Sequence, residues 1–451
     1  MPKRLGFTCR PDELRGLAQA VLERAKRGGA DGCECDVSEG YGLSVTVRKG
    51  RADIVEHNRD RSIGVSVYMG NRPKARRGHA STSDFSGAAL EQTVDAAIAI
   101  ARHTAQDDCA GLPEASQLAR EQPDLDLFHP WTIDTEAAID LARRCEAAAF
   151  GVSKKVRNSE GATVSAQHSQ FVFANSLGFV GGNAGSRHYL ACSMIAEDKG
   201  LMQRDDWHSA SRVPERLADP RALGRYAAER ALARLGGRKI ATRQAPVLFE
   251  APVAIGLIGH FVSGVSGGNL YRKTSFLTDS LGKQVFSPGV RIDERPLERQ
   301  GMASGSFDEE GVATRERPIV RDGAVQGYFL GSYAARKLGM QSTGSAGGHH
   351  NLVVQSGELD FRGMLREMGT GLLVTELLGQ GINMVTGDYS RGAAGYWVEG
   401  GEVRYPVEEI TIAGNLKDMF RGVVAVGNDT VVRSGRTCGS ILIDKMTIAG
   451  A

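Results

Sequence analysis

The chain has 451 residues, of which 41% are hydrophobic and 24% charged, and its formal net charge is +2. This composition is typical of a soluble globular protein that is too long for one core, so two or three domains are expected. The near balance of charge argues against nucleic acid as a partner, and no apolar run is long enough to span a bilayer.

The first segment, residues 1–110, is predicted to have an α-β-β-β-β-α order of elements. Its first helix carries an apolar stripe and ends at Gly28-Gly29. Cys33 and Cys35 alternate along a strand, which places both thiols on one buried face. The predicted elements are helices at 11–27 and 85–103 and strands at 33–37, 43–48, 62–68 and 72–80, with a hairpin turn at Gly70-Asn71.

Residues 111–130 contain prolines and acids without periodicity, and we interpret them as a linker. A second α/β segment, 131–240, is expected to pack with the first, and its first helix is predicted to begin after Asp134 as the N-cap. The predicted elements are a helix at 135–151, strands at 163–166 and 170–175, a turn region at 178–185, a strand at 186–195 and a helix at 220–235.

Residues 241–451 are predicted to form a β-rich domain. Asp322-Gly323 is typical of a hairpin turn, and a second hairpin is predicted over 397–403. The other predicted elements are a strand at 245–250 and helices at 253–265, 333–338 and 359–368. The fold class is therefore α+β, with an N-terminal α/β domain followed by a β-rich C-terminal domain.

The cysteines and the amino-terminal sequence indicate the compartment. Seven cysteines at irregular spacing fit a reducing environment, and the first residues lack the apolar stretch of a signal peptide. We therefore expect a cytoplasmic protein.

A glycine-rich block at 369–419 is the most informative part of the sequence. Glycines among β-formers, such as Gly392 and Gly395, indicate strands that lie close to another backbone or to a ligand. Both glycines are therefore candidates for substrate contact, and close packing between strands is the alternative. Within the same block we interpret Asp388 and Arg391 as an ion pair.

This block resembles the carboxy-terminal signature of the PmbA/TldE proteins, the partner half of the TldD/TldE metallopeptidases. Further matches at 271–277, 332–339 and 342–344 extend the resemblance over most of residues 250–451. The resemblance implies dimers, unfolded peptides as substrates, and a TldD-like subunit that carries zinc.

The zinc motif of the TldD half is absent here. In TldD-like proteins a His-Glu-x-x-x-His motif and a cysteine supply the ligands and the general base, and this sequence contains no His-Glu pair. At the matching place His260 keeps the first ligand, Phe261 replaces the base and Val265 replaces the second ligand. Cys438 lies where the third ligand is expected. We therefore predict no catalytic residue and no metal in this chain, with His260 and Cys438 as structural residues.

A histidine pair, His349-His350, follows a glycine-rich loop and is a separate candidate for a metal site. No acid or cysteine lies nearby at ligand spacing, and such a loop is also compatible with anion binding or with a purely structural role. The structural role is the favoured interpretation.

Three functions remain open. The leading hypothesis is a non-catalytic, substrate-handling subunit of a TldD/TldE-type zinc metallopeptidase, which also allows a homodimer when the chain is alone. The alternatives are a self-sufficient homodimeric metallopeptidase that uses His260 and Cys438, and a peptide-binding adaptor without peptidase activity.

Overall fold

A computed structural model describes residues 6–70 and 74–450. The first half is built on one antiparallel sheet in the order β3-β2-β1-β4-β5-β6. Its strands are β1 (Gly32–Arg48), β2 (Arg51–Met69), β3 (Arg76–Thr82), β4 (Val156–Asn175), β5 (Val180–Asp198) and β6 (Leu201–Ser211). Because β1 pairs with β4, the strands before and after residues 111–130 share this sheet.

Four helices cover one face of this sheet and form two apolar cores with it. They are α1 (Pro11–Arg27), α2 (Gly87–His103), α3 (Thr135–Phe150) and α4 (Pro220–Ala233). The predicted cap is confirmed, because Asp134 accepts a hydrogen bond from the backbone N–H of Ala137 at 2.8 Å. Cys33 and Cys35 are both buried in the core beneath α1, as predicted.

Several strand boundaries differ from the prediction. The segments predicted at 33–37 and 43–48 form one strand, because Gly40 and Gly42 stay extended and pair with β2. The segments at 163–166 and 170–175 likewise merge into β4. The turn predicted at 178–185 is shorter, since Gly181 and Gly182 already pair with β4. Strand β6 was not predicted. The turn at Gly70-Asn71 and the start of the strand predicted at 72–80 fall partly on 71–73, outside the described residues.

The second half contains two further sheets. The first has the order β14-β13-β12-β7-β18-β15, and its strands are β7 (Arg243–Phe249), β12 (Gly371–Leu378), β13 (Asp388–Glu399), β14 (Glu402–Asn415), β15 (Val423–Val426) and β18 (Ile441–Ala449). The second has the order β10-β9-β8-β11-β17-β16, and its strands are β8 (Ile292–Glu294), β9 (Arg317–Arg321), β10 (Ala324–Val325), β11 (Leu352–Val354), β16 (Val431–Arg433) and β17 (Arg436–Cys438). Both predicted hairpins are confirmed.

The helices of this half are α5 (Ala251–Gly264), α6 (Gly267–Tyr271), α7 (Ser332–Lys337), α8 (Phe361–Met368) and α9 (Leu416–Arg421). Helix α5 packs against β12 of one sheet and against β16 and β17 of the other, and it lies in the largest apolar core. The α+β fold class is confirmed. No helix in the described part of the chain is long and apolar enough to cross a membrane.

Buried ion pairs join the two halves. Arg230 of α4 pairs with Glu250, the residue after β7, at 2.7 Å and with Asp205 of β6 at 3.1 Å. Only about an eighth of each of these side chains is exposed, so the charges interact in a medium that screens them weakly. This contact holds α4 against the N-terminus of α5.

Candidate functional site

Helix α5 contains the residues that we predicted to correspond to the zinc motif. It begins with Pro252 in its first turn and is apolar on nearly all sides, as expected for a helix between two sheets. It ends at Gly264, and Val265 follows as the C-cap. His260 therefore lies on the last turn, between β13 on one side and β17 on the other.

Phe261 and Val265 belong to the apolar core. Both side chains are fully buried, and the Phe261 ring lies 5.0 Å from that of Phe286 and 6.2 Å from that of Phe420, edge to face. The positions that we predicted to correspond to the general base and the second ligand of the motif are thus filled by packing residues.

His260 is half-buried, and its ring meets that of Tyr389 edge to face at 6.0 Å. Burial, followed by the positive charges of Arg391 and Arg436, lowers the pKa of His260 to about 4. The imidazole is therefore neutral near pH 7, and the nearest charges are cationic.

Arg436 connects the end of α5 to the histidine pair. One terminal nitrogen of its guanidinium lies close to Gly259, where a Cβ atom would approach it within 3.1 Å. Its Nε donates to Nε2 of His349 at 3.0 Å. Burial lowers the pKa of His349, which keeps this ring neutral and able to accept the hydrogen bond.

His350 points elsewhere, toward a buried ion pair. Its backbone N–H donates to Oε1 of Glu294 at 2.9 Å, and Arg317 contacts the other carboxylate oxygen at 2.7 Å. Burial alone would raise the pKa of Glu294, but the hydrogen bonds from His350 and the charge of Arg317 outweigh it and hold the pKa below its usual range. Each histidine of the pair therefore has its own partner, which fits the structural interpretation of this loop.

Cys438 is fully buried in β17, and its Sγ donates to the carbonyl oxygen of Gly439 at 3.2 Å. Burial raises the pKa of this thiol well above its usual range, so it is protonated at neutral pH. A cysteine binds zinc as the thiolate.

The groups around His260 do not fit a zinc ion. Tetrahedral zinc takes imidazole, thiolate and carboxylate ligands, whereas the charged neighbours of His260 are two guanidinium groups. Among the described residues one cluster, Asp107, Asp108 and Cys109, has ligand atoms within 4.8 Å of one another. Its carboxylates already bind Lys337 at 3.0 Å, so this cluster is explained by an ion pair.

The two candidate glycines differ in the space around them. A Cβ atom at Gly395 would overlap the carbonyl oxygen of Leu373 in β12, which favours the packing explanation at this position. Gly392 is more open, because a Cβ atom there would lie 3.2 Å from the side chain of Leu378. Substrate contact at either glycine stays a prediction.

A cleft of about 830 Å³ lies between the two halves, beside the residues that follow α5. The first half contributes carboxylates and a tyrosine, and the second contributes glycine backbone and the paired rings of Tyr271 and Tyr333, 5.7 Å apart. Burial raises the pKa of Glu34, whose carboxylate accepts a hydrogen bond from the hydroxyl of Tyr68 at 3.0 Å. The main lining residues are Glu34, Tyr68, Arg77, Asp107, Gly267, Gly268, Tyr271, Glu309, Glu310, Tyr333, Gly347 and Gly348.

Two arginines near His260 were missed by the sequence analysis. Arg391 was interpreted as the ion-pair partner of Asp388, which is wrong: Asp388 instead accepts hydrogen bonds from Thr386 and Asn415, and no ion pair joins Asp388 and Arg391 in the described chain. The alternation of side chains along a strand could have indicated Arg391, because it lies two residues from Tyr389 and therefore on the same face of β13. Arg436 lies two residues from Cys438 in the same way.

Comparison with known proteins identifies the family. The PmbA/TldA metallopeptidase domain 1 matches residues 33–101, the central domain 128–235 and the C-terminal domain 242–450. This chain belongs to the PmbA/TldD metallopeptidase family. Metalloprotease PmbA of Escherichia coli O157:H7 is 49% identical over 437 residues, which cover 97% of this chain and 96% of that protein. The predicted resemblance is thereby confirmed.

Solved structures of similar proteins share the fold. A protein of Bacteroides thetaiotaomicron, described as a modulator of DNA gyrase, has a TM-score of 0.92 at 24% identity and covers 98% of this chain and 99% of its own. TldE from Thermococcus kodakarensis has a TM-score of 0.84 at 19% identity, and the match covers 96% of this chain and 100% of that protein. At these identities the likeness concerns the fold alone.

Proposed function

We propose that this chain is a non-catalytic subunit of a cytoplasmic TldD/TldE-type zinc metallopeptidase and that it handles unfolded peptide substrates for a TldD-like partner. The observation that carries the proposal is the burial of Phe261 and Val265. A core phenylalanine takes the place of the general base, so the step that activates water has no carboxylate here. Zinc and the hydrolytic step belong to the partner in this proposal.

The cleft between the halves supports the substrate-handling part of the proposal. Its lining includes the half-buried Gly268 and the exposed Gly347 and Gly348, where no side chain covers the backbone, and an extended peptide binds such backbone by main-chain hydrogen bonds. Its carboxylates outnumber its one arginine, Arg77, which favours peptides without many acidic side chains near this point.

Mixing this chain with a TldD-like subunit tests the division of labour. We expect chelator-sensitive cleavage of unfolded peptides by the mixture and little by this chain alone. Cys438→Ala should leave the activity of the mixture within a few-fold, because the buried thiol is not a ligand in this proposal. Robust chelator-sensitive cleavage by this chain alone, or its loss in Cys438→Ala with the fold intact, would contradict the proposal and favour the self-sufficient peptidase.

A pair of glycine variants tests the cleft. Gly268→Leu places a side chain in the cleft, where a Cβ atom meets only the flexible end of Arg272. Gly256→Leu is the matched control, because this helical glycine faces open space on α5. Gly268→Leu should slow cleavage of long peptides by the mixture several-fold, and Gly256→Leu should not. Equal rates for both variants would remove the cleft from the proposal.

A further inference from the structure

Two arginine side chains reach the last turn of α5 from different sheets. Arg391 projects from β13 on the face that carries Tyr389, whose ring contacts His260. Arg436 projects from β17, and its guanidinium lies over Gly259. Both positive charges act on His260. The fold therefore concentrates two cations at the place where the family's zinc motif would lie.

Neither cation has a carboxylate partner among the residues that the structure describes. Arg391 donates from Nη2 to the carbonyl oxygen of Leu377 at a long 3.4 Å, and its buried Nε has no hydrogen-bond partner within the described chain. Arg391 also interacts with the hydroxyl of Tyr389. Arg436 donates from Nε to the neutral ring of His349, and burial lowers the pKa of this guanidinium.

Several other buried arginines of the described chain have acceptors: Arg212 donates to the backbone carbonyl oxygens of Ser186, Gly301 and Met302, and two more are neutralised by carboxylates. Arg230 contacts Glu250 and Asp205, and Arg317 contacts Glu294. Removing an unpaired cation from water costs free energy. Two unpaired cations near each other cost more than one, because their charges also repel. An oxyanion placed between Arg391 and Arg436 would supply the missing acceptors, and the planar guanidinium fork suits a carboxylate.

We propose that Arg391 and Arg436 form a carboxylate-binding subsite at the end of α5, which holds a terminal or side-chain carboxylate of a peptide. This inference rests on the proposed handling of peptides and adds the chemical group that the chain would recognise. The neutral ring of His260 lies beside the subsite.

Binding is measured on this chain alone by calorimetry, so the outcome does not depend on a partner subunit. The probes are an alanine tetrapeptide with a free carboxy terminus, the same peptide with an amidated terminus, and an amidated alanine peptide with one central glutamate. The expected result is that at least one carboxylate-bearing peptide binds about tenfold or more tightly than the amidated alanine peptide. Preference for one of the two probes identifies the terminal or the side-chain carboxylate.

Arg391→Gln and Arg436→Gln should each abolish this preference, and the corresponding lysine variants should retain part of it because they keep the charge. Arg404→Gln is the matched control, since this exposed arginine of β14 already pairs with Glu402. Thermal melting verifies that each variant is folded. Equal binding of all three peptides, unchanged binding in the folded glutamine variants, or binding of inorganic phosphate without any carboxylate peptide would overturn the subsite. The partner-mixing experiment can succeed or fail independently of this result.

Discussion

Replacing Phe261 by alanine tests whether this motif position belongs to the core. The side chain is fully buried and packs against Phe286 and Phe420. Truncating a buried phenylalanine usually costs about 3–5 kcal/mol, because the transfer energy of the ring is lost and a cavity remains. The two edge-to-face contacts place Phe261 toward the upper part of that range.

The assay is urea unfolding of the isolated chain, followed by tryptophan fluorescence and circular dichroism in parallel. Two probes are needed because a chain of several domains need not unfold in one step. Phe128→Ala is the control, since that residue is already 36% exposed and the loss of its ring should cost much less. A cost below about 1 kcal/mol for Phe261→Ala would refute the assignment of this residue to the core, since so small a loss is typical of peripheral positions.

Three further variants test other parts of the structure. Gly395→Val should lower the melting temperature strongly and reduce activity on short and long peptides alike, because the new side chain overlaps the backbone of β12; selective loss on long peptides would instead indicate substrate contact. The pKa of His168 is lowered from 6.5 to about 4 by burial and then by the nearby His188, and its Nε2 accepts a hydrogen bond from Trp131. The neutral ring therefore contributes stability above pH 6.5, and this stability is lost as the pH falls toward 4. The free energy of unfolding falls by up to about 1.4 kcal/mol per pH unit in that window. His168→Gln should flatten this pH dependence of unfolding. Arg230→Leu should destabilise the chain by about 3–5 kcal/mol in the same urea assay, because it leaves the buried carboxylate of Glu250 without its cation and Asp205 with only the more distant Arg234; near-neutral stability would contradict this.

The sequence predicted helices and turns better than strand lengths. Local signals such as the Asp134 cap and the Asp322-Gly323 turn depend on neighbouring residues, and both are confirmed. Two strands were predicted at 33–37 and 43–48, yet Gly40 and Gly42 between them stay extended because they pair with both neighbouring strands. Strand β6 was missed because charged residues interrupt its apolar alternation and its side chains are mostly exposed or half-buried.

The candidate site was predicted in part. The motif position of Phe261 and Val265 followed from the resemblance, and their apolar character agrees with the core in which they lie. The approach of Arg391 and Arg436 to His260 could not be derived from spacing alone. These residues lie on two different sheets, and only the packing of both sheets around α5 brings them together.

Zinc stoichiometry tests the central claim most directly. Elemental analysis is performed on this chain alone, on a TldD-like partner alone and on their purified mixture, after mild purification without chelators. The account predicts much less than one zinc per copy of this chain, and about one zinc per partner subunit in the mixture. One zinc per chain in the isolated protein, lost in a folded Cys438→Ala variant, would contradict the account and place a metal site at His260 and Cys438.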